Sequence, residues 1–212
     1  MLNVHHFTFN PFQENTYIVY DEERRCIIID PGMYNAQDEM ILDSFITSAG
    51  LKPEYLVNTH CHIDHILGNT YCAQKYELKL HAHTLERSVM EMGRTSASLY
   101  GLKYTESVPI SVFIDEKDSI KLAGGTLKIL FTPGHSPGSL SFYDENSGFV
   151  IAGDALFRES IGRTDLPGGN HATLIQSISE KLFSLPDATT VYSGHGDSTT
   201  IGHEKLYNPF FS

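Results

Sequence analysis

Apolar and polar positions along this chain repeat at two periods, and the places where the period changes mark out its elements. Residues 15–20, Asn-Thr-Tyr-Ile-Val-Tyr, and the run Cys26-Ile27-Ile28-Ile29 read as strands on either side of a charged turn, within a first thirty residues that look β throughout. Pro31-Gly32 stops the second strand. Met40, Ile41, Phe45 and Ile46 fall at helical spacing and predict a helix over 37–49, closed by Gly50. Residues 55–58 predict another strand, 66–76 a helix, 78–82 a short strand and 84–92 a further helix. Residues 93–114, with Gly93, Gly101, Pro109 and scattered aromatics, follow no period. They read as an irregular insertion, either a lid or substrate loop or a plain surface excursion.

The second half repeats the alternation. Strands are predicted over 119–122, 126–131, 139–143 and 149–152, with turn signals at Gly124-Gly125 and Asn146-Ser147-Gly148. Leu174, Ile175, Ile178 and Leu182 share one face of a helix over 172–185, ended by Pro186, and 190–193 is the last strand. Strands followed by helices, twice over, predict an α/β (α+β) architecture of two packed sheets with helices outside, in a single unit over 1–212.

Composition narrows the function. Hydrophobic residues at 41% and charged ones at 19% fit a folded globular chain and exclude disorder. The net charge of −11 disfavours a nucleic-acid partner, because such a surface repels phosphate. No apolar run approaches the length of a membrane span, and Met1-Leu2-Asn3-Val4-His5-His6 lacks the pattern of a secretory signal. Three cysteines, Cys26, Cys61 and Cys72, suit a reducing compartment better than a disulfide framework. A cytoplasmic protein without membrane or nucleic-acid partners is expected, its oligomeric state left open.

One stretch carries the chemistry. Thr59-His60-Cys61-His62-Ile63-Asp64-His65 packs three imidazoles and a carboxylate into six residues, directly after a predicted strand. Histidine is the commonest metal ligand, and a carboxylate beside it suits a borderline divalent ion such as zinc. Three more ligand-type residues follow apolar strands, each preceded by glycine: Gly134-His135, Gly153-Asp154 and Gly194-His195. A single such step is an ordinary turn, but three of them together with the first loop are hard to obtain by accident. On an extended backbone Cys61 points away from His60 and His62, so a packing role is expected for it.

The order His-x-His-x-Asp-His, Pro-Gly-His, Gly-Asp and Gly-His-Gly resembles the metallo-β-lactamase superfamily from about Asn10 to Phe211. Asn10-Pro11-Phe12-Gln13-Glu14-Asn15, Asp30-Pro31-Gly32, Gly153-Asp154-Ala155-Leu156-Phe157, Ile161-Gly162-Arg163-Thr164-Asp165 and Asn208-Pro209-Phe210 resemble its glyoxalase II-type hydrolases, the short subgroup without a helical C-terminal domain. The resemblance implies a four-layer αβ/βα sandwich with a dinuclear site at one edge. It further implies that His60, His62 and His135 hold one metal ion, that Asp64, His65 and His195 hold the other, and that Asp154 bridges them. Two divalent ions are implied, zinc first, with iron or manganese also suited to this ligand set.

Around the ligands, Asp30 is a candidate hydrogen-bond partner of a ligating imidazole, with capping of the turn before Pro31 as the equal alternative. Thr59 and Ser136 are weaker candidates of the same kind. Arg163 stands where the larger glyoxalase II enzymes carry a basic residue for the glutathione portion, but the aromatic residue those enzymes have two positions later is replaced by Asp165. His5, His6, His81, His83, His171 and His203 match no motif and are read as structural or solvated, His83 and His171 being nearest to the site loops. The resemblance implies hydrolysis of a small-molecule thioester, such as an S-2-hydroxyacylglutathione, with Asp64 also placed to orient the nucleophilic water. The alternative is a mononuclear iron persulfide dioxygenase of the same fold; a lactonase or β-lactamase has less in its favour.

Overall fold

The structure is a computed structural model and describes residues 1–211. Two six-stranded sheets face each other. The first holds β1 (Asn3–Phe9), β2 (Glu14–Tyr20), β3 (Arg25–Ile29), β4 (Lys52–Val57), β5 (Leu80–Ala82) and β6 (Val112–Phe113), in that spatial order. Its first two pairings are antiparallel and the other three parallel. The parallel half is crossed by α1 (Ala36–Ser48), α2 (Ile63–Ile66), α3 (Asn69–Lys75), α4 (Glu86–Glu91) and α5 (Gly93–Leu99). The second sheet is made from β7 (Ser119–Leu122), β8 (Gly125–Phe131), β9 (Leu140–Asp144), β10 (Phe149–Gly153), β13 (Thr190–Ser193) and β14 (Thr199–Thr200), ordered β14-β13-β10-β9-β8-β7. Between β10 and β13 lie a small hairpin, β11 (Leu156–Phe157) with β12 (Ser160–Ile161), and the helix α6 (His171–Ser177); α7 (Ile201–Tyr207) follows β14.

Strand periodicity sorts the core into layers. Ile27 and Ile29 point between the sheets, where they meet Leu127, Ile129, Phe142 and Ile151 of the opposite sheet. Cys26 and Ile28 point the other way, onto Leu42 and Ile46 of α1 and Cys72 of α3. On the far face, Val150 and Val191 pack under Leu174 of α6 and Ile178, Leu182 and Ile201. The result is the four-layer αβ/βα sandwich. Each fully buried Ile or Leu in it contributes roughly 1.5–3 kcal/mol.

Several predicted elements shift. The helix expected over 66–76 is two short helices, α2 and α3, and begins at Ile63, so Asp64 and His65 lie inside its first turn. Gly68 stands at the junction, its amide bonded to the Pro31 carbonyl, and it must be glycine because a Cβ there would meet the Met33 side chain at 2.6 Å and the Pro31 carbonyl at 2.9 Å. The irregular insertion over 93–114 contains a helix, α5, and an edge strand, β6; Ala97 buries against Cys61, Ile63 and Ile66, a tertiary contact no local period announces. The helix over 172–185 starts one residue earlier and widens into a π turn at Ile178–Leu182. Helix α7, with Thr200 capping it through an acceptor bond from the His203 amide, was not among the predicted elements. Among the described residues no helix is long and apolar enough to cross a membrane.

Candidate metal centre

The carboxyl ends of β4, β8, β10 and β13 gather on one edge of the sandwich, each feeding a loop that carries part of one cluster. His60 and His62 follow β4, Asp64 and His65 open α2, His135 follows β8, Asp154 follows β10 and His195 follows β13. Gly153 and Gly194 make this approach feasible. Gly153 turns the chain with φ 51°, and a Cβ on Gly194 would sit 2.0 Å from Asp154 Oδ1 and 2.8 Å from His65 Cε1.

The seven side chains form two sets that share one member. Donor atoms of His60, His62 and His135 lie within 4.8 Å of one another, and so do those of Asp64, His65 and His195. Asp154 stands between them: Oδ2 is 3.5 Å from His135 Nε2 and 3.4 Å from His195 Nε2, while Oδ1 is 3.4 Å from His65 Nε2. Asp64 Oδ2 is 3.2 Å from His195 Nε2 and 3.6 Å from His65 Nε2.

Hydrogen bonds on the outward side fix which nitrogen faces in for four of the five rings, while His62 turns its Nδ1 inward, 2.8 Å from His135 Nε2. His135 Nδ1 lies 2.7 Å from the Arg163 carbonyl and His195 Nδ1 3.0 Å from the Phe12 carbonyl. A carbonyl only accepts, so each Nδ1 carries a proton and Nε2 is the nitrogen turned toward the cluster. Asp30, held at φ 50° at the end of β3, does the same for two rings at once. Its Oδ2 accepts from His65 Nδ1 at 3.1 Å and from the Thr59 hydroxyl at 2.5 Å, and its Oδ1 accepts from the Thr59 amide at 2.7 Å. The Thr59 hydroxyl has spent its proton on Asp30, so at 3.0 Å it accepts from His60 Nδ1 and leaves His60 Nε2 as a lone pair. Asp30, His60 and His65 are also close enough together to hold an ion, but the oxygens of Asp30 are already committed to these bonds.

Protonation separates the two sets. Burial lowers His60 well below the usual imidazole range, and neighbouring His65 adds to it. Burial likewise takes His62 down to about 3, with His135 contributing. For His65 burial pulls the same way, but the Asp154 and Asp64 carboxylates outweigh it and raise this imidazole well above its ordinary value. His195 is brought up to about 10: burial opposes the shift, and hydrogen bonds to Asp154 and Asp64 win. Burial would raise Asp154, yet His65 and His195 hold it well below the carboxylate range.

The donor set fits divalent cations. His60 Nε2, His65 Nε2 and Asp154 Oδ1 are buried without a well-formed hydrogen bond in the protein. Buried polar atoms of this kind are costly unless something satisfies them, and five imidazoles with two carboxylates, freed of the protons on His65 and His195, are satisfied by bound cations.

Two carboxylates that spacing did not single out brace the site. Glu86, in the first turn of α4 and fully buried, accepts from the Cys61 amide at 2.7 Å, the Ser136 hydroxyl at 2.6 Å and the Gly138 amide at 2.7 Å. It thereby ties the loop of His60 and His62 to the loop of His135. Burial raises its pKa, partly offset by the three donors. Glu14 is buried behind His65, with Oε1 3.8 Å from Nδ1; burial holds this acid well above the usual range, against the pull of His65. Glu86 reaches the site from outside the motifs and had no readable signal, while Glu14 lies within the Asn10–Asn15 phrase without any spacing that marked it as a site residue. The remaining histidines stay out of the cluster: His83 stacks on Phe131, His5 on Phe45, and His203 reaches Glu159. Cys61 is buried with Ile63, Ile66 and Val89.

The site floors an open cavity of about 750 Å³. Phe12, Val89, Met92, Leu99, Tyr100 and Phe157 supply much of its wall, and Arg163 lies on its rim. The Arg163 guanidinium is taken by Asp165 through two bonds of 2.7 Å, which brings Asp165 down to about 2.

Comparison with known proteins agrees with this geometry. The chain is 37% identical over 204 residues to the probable metallo-hydrolase YqgX of Bacillus subtilis, covering 95% of this chain and 94% of that one. It is 33% identical over 213 residues to the hydroxyacylglutathione hydrolase GloC of Haemophilus influenzae, covering 100% and 99%. The crystal structure of BLEG-1 B3 metallo-beta-lactamase superposes with a TM-score of 0.91 at 35% identity, covering 99% and 100% of the two chains. The sequence profile of the Metallo-beta-lactamase superfamily matches residues 9–195, a span that takes in every residue of the cluster from His60 to His195. With fold, cluster and sequence in accord, the chain belongs to the metallo-beta-lactamase superfamily.

Proposed function

We propose that this protein is a hydrolase of small-molecule thioesters that works with two divalent metal ions, zinc first among the candidates. The observation that carries the reading is the pair of donor sets with Asp154 between them at the floor of an open cavity, with buried inward atoms of His60, His65 and Asp154 left without a hydrogen bond. His60, His62 and His135 would hold one ion, Asp64, His65 and His195 the other, with Asp154 common to both. Ions bound there would polarise an acyl oxygen and bring the pKa of water toward ~7.

The chain's own residues do the rest. Asp30 and Thr59 keep the imidazoles of His60 and His65 in the tautomer that faces inward. Asp64, with its side chain 12% exposed at the cavity, is placed to accept a proton from water and orient it. In the reaction, water adds to the acyl carbon, the carbon–sulfur bond breaks, and the sulfur leaves with the bonding electrons as a thiolate. A thiolate is a good leaving group at neutral pH, so no separate protein acid is required. The full-length likeness to a hydroxyacylglutathione hydrolase supports a thioester over other acyl compounds. Because Asp165 already occupies Arg163, an anionic carrier would reach that guanidinium only by displacing the carboxylate.

The test is metal analysis of protein purified without added metal, coupled to thiol release from a thioester panel. About two ions per chain and oxygen-independent thiol release are expected. One iron per chain with oxygen uptake from a persulfide would replace this reading with the dioxygenase alternative, and hydrolysis of lactams or lactones alone would restrict it to another acyl class.

A further inference from the structure

The cavity above the donor sets is lopsided in its chemistry. Its floor holds the charges: Asp64, Asp154 and the imidazoles of His62, His135 and His195. Its flank is built by α4 and α5, where Val89, Met92, Leu99 and Tyr100 lie along one side with the hydroxyl residues Thr95 and Ser96 among them. Phe12, from the turn between β1 and β2, closes that side by packing edge-on to Tyr100, with ring centroids 5.2 Å apart. Leu99 is 79% exposed and Tyr100 44%, an unusual expenditure of apolar surface on a helix whose other face is buried through Ala97. Among the described residues lining the cavity, Arg163 is the only lysine or arginine, and Asp165 already neutralises it.

A scissile carbonyl must sit at the floor, so the group attached to it extends along this flank. A carboxylate or phosphate there would be desolvated with hydroxyls but no free cationic side chain to meet it, and repelled by a chain of net charge −11. An uncharged aliphatic or aryl group would instead remove water from the exposed faces of Met92, Leu99 and Tyr100. We infer that the α4–α5 flank is an acyl subsite that selects thioesters whose acyl group is apolar and uncharged. The inference rests on the hydrolase reading and adds the substrate class to it. It also gives the α5 segment a purpose: the helix carries the specificity surface on its outer side and anchors itself to α2 on its inner side.

Acetyl, butyryl, hexanoyl and succinyl thioesters of one uncharged thiol, N-acetylcysteamine, test this by thiol release from the metal-loaded protein. Partial burial of four added methylenes is expected to raise kcat/KM at least about tenfold from acetyl to hexanoyl, with succinyl at least about tenfold below butyryl. In the Leu99→Ser/Tyr100→Ser variant, whose altered side chains are exposed, the acetyl-to-hexanoyl gradient should fall below about threefold. Equal kcat/KM across the acyl series, a gradient unchanged in the variant, or succinyl matching butyryl would overturn the apolar subsite while leaving thioester hydrolysis standing. Absence of thiol release from every member, with two metals bound, would overturn the hydrolase reading and this inference with it.

Discussion

The two halves of the cluster solve one problem in opposite ways. His60 and His62 are imidazoles made neutral by burial, ready to donate lone pairs without first losing a proton. Asp64, His65 and His195 form a charged set, in which the carboxylates draw protons onto the two rings until a cation takes their place. The first half is therefore organised by desolvation and the second by charge compensation. The difference arises from position: the first loop lies against the buried Glu86 brace and Cys61, while both carboxylates belong to the second half or to the boundary between them.

The sharpest way to separate the halves is to delete one ligand from each. His135→Ala should remove the ion of its own set and lower turnover by well over the ~100-fold typical of outer contacts, with the fold retained. His195→Ala should do the same to the other set; metal counting by mass spectrometry and circular dichroism check both. Loss of both ions from either variant would show that the halves do not bind independently.

Asp30 should break the comparison, because it orients a ring in each half. Asp30→Ala is expected to weaken both ions by roughly 10–100-fold, whereas Thr59→Val should weaken only the His60 set, by a factor in the lower part of that range. Competition with a chromogenic chelator reads both, and equal effects of Thr59→Val on the two sites would remove the relay.

A smaller effect should appear with pH. His195, at about 10 in the metal-free protein, is protonated at neutral pH, so binding an ion at its set expels at least that proton. Because His65 is raised as well, affinity there should rise between about tenfold and about a hundredfold per pH unit through neutrality, for one or two protons released, and level off above the His195 value. His60 and His62 have no proton to lose, so their contribution should stay flat above pH ~6. Calorimetry in buffers of different ionisation enthalpy counts the protons; equal release from both sets would contradict the division.

The mildest change is at the brace. Glu86→Gln exchanges one of the two acceptor oxygens for an amide donor, which must face either the Cys61 amide or the Gly138 amide, at a cost of roughly 1–3 kcal/mol in stability. It should loosen the His60, His62 and His135 set and leave the other nearly untouched, a contrast that thermal melts with and without metal would reveal.

The sequence by itself determined the longer strands, the two packed sheets with helices outside, and the identity of the residues that gather at one edge, but not short strands such as β6 and β14. Strand periodicity and compact clusters such as His60 to His65 are local patterns, set by which side of an extended chain each side chain must occupy. Only the tertiary structure decided the braces and the cavity wall. Glu86 acts on loops 25 and 52 residues away, Asp30 reaches Thr59 across 29 positions, and α5 is a helix because Ala97 has Cys61 and Ile66 to pack against. A buried carboxylate's partner and a helix's covered face are fixed by closure of the whole chain, and no window of neighbouring residues contains that information.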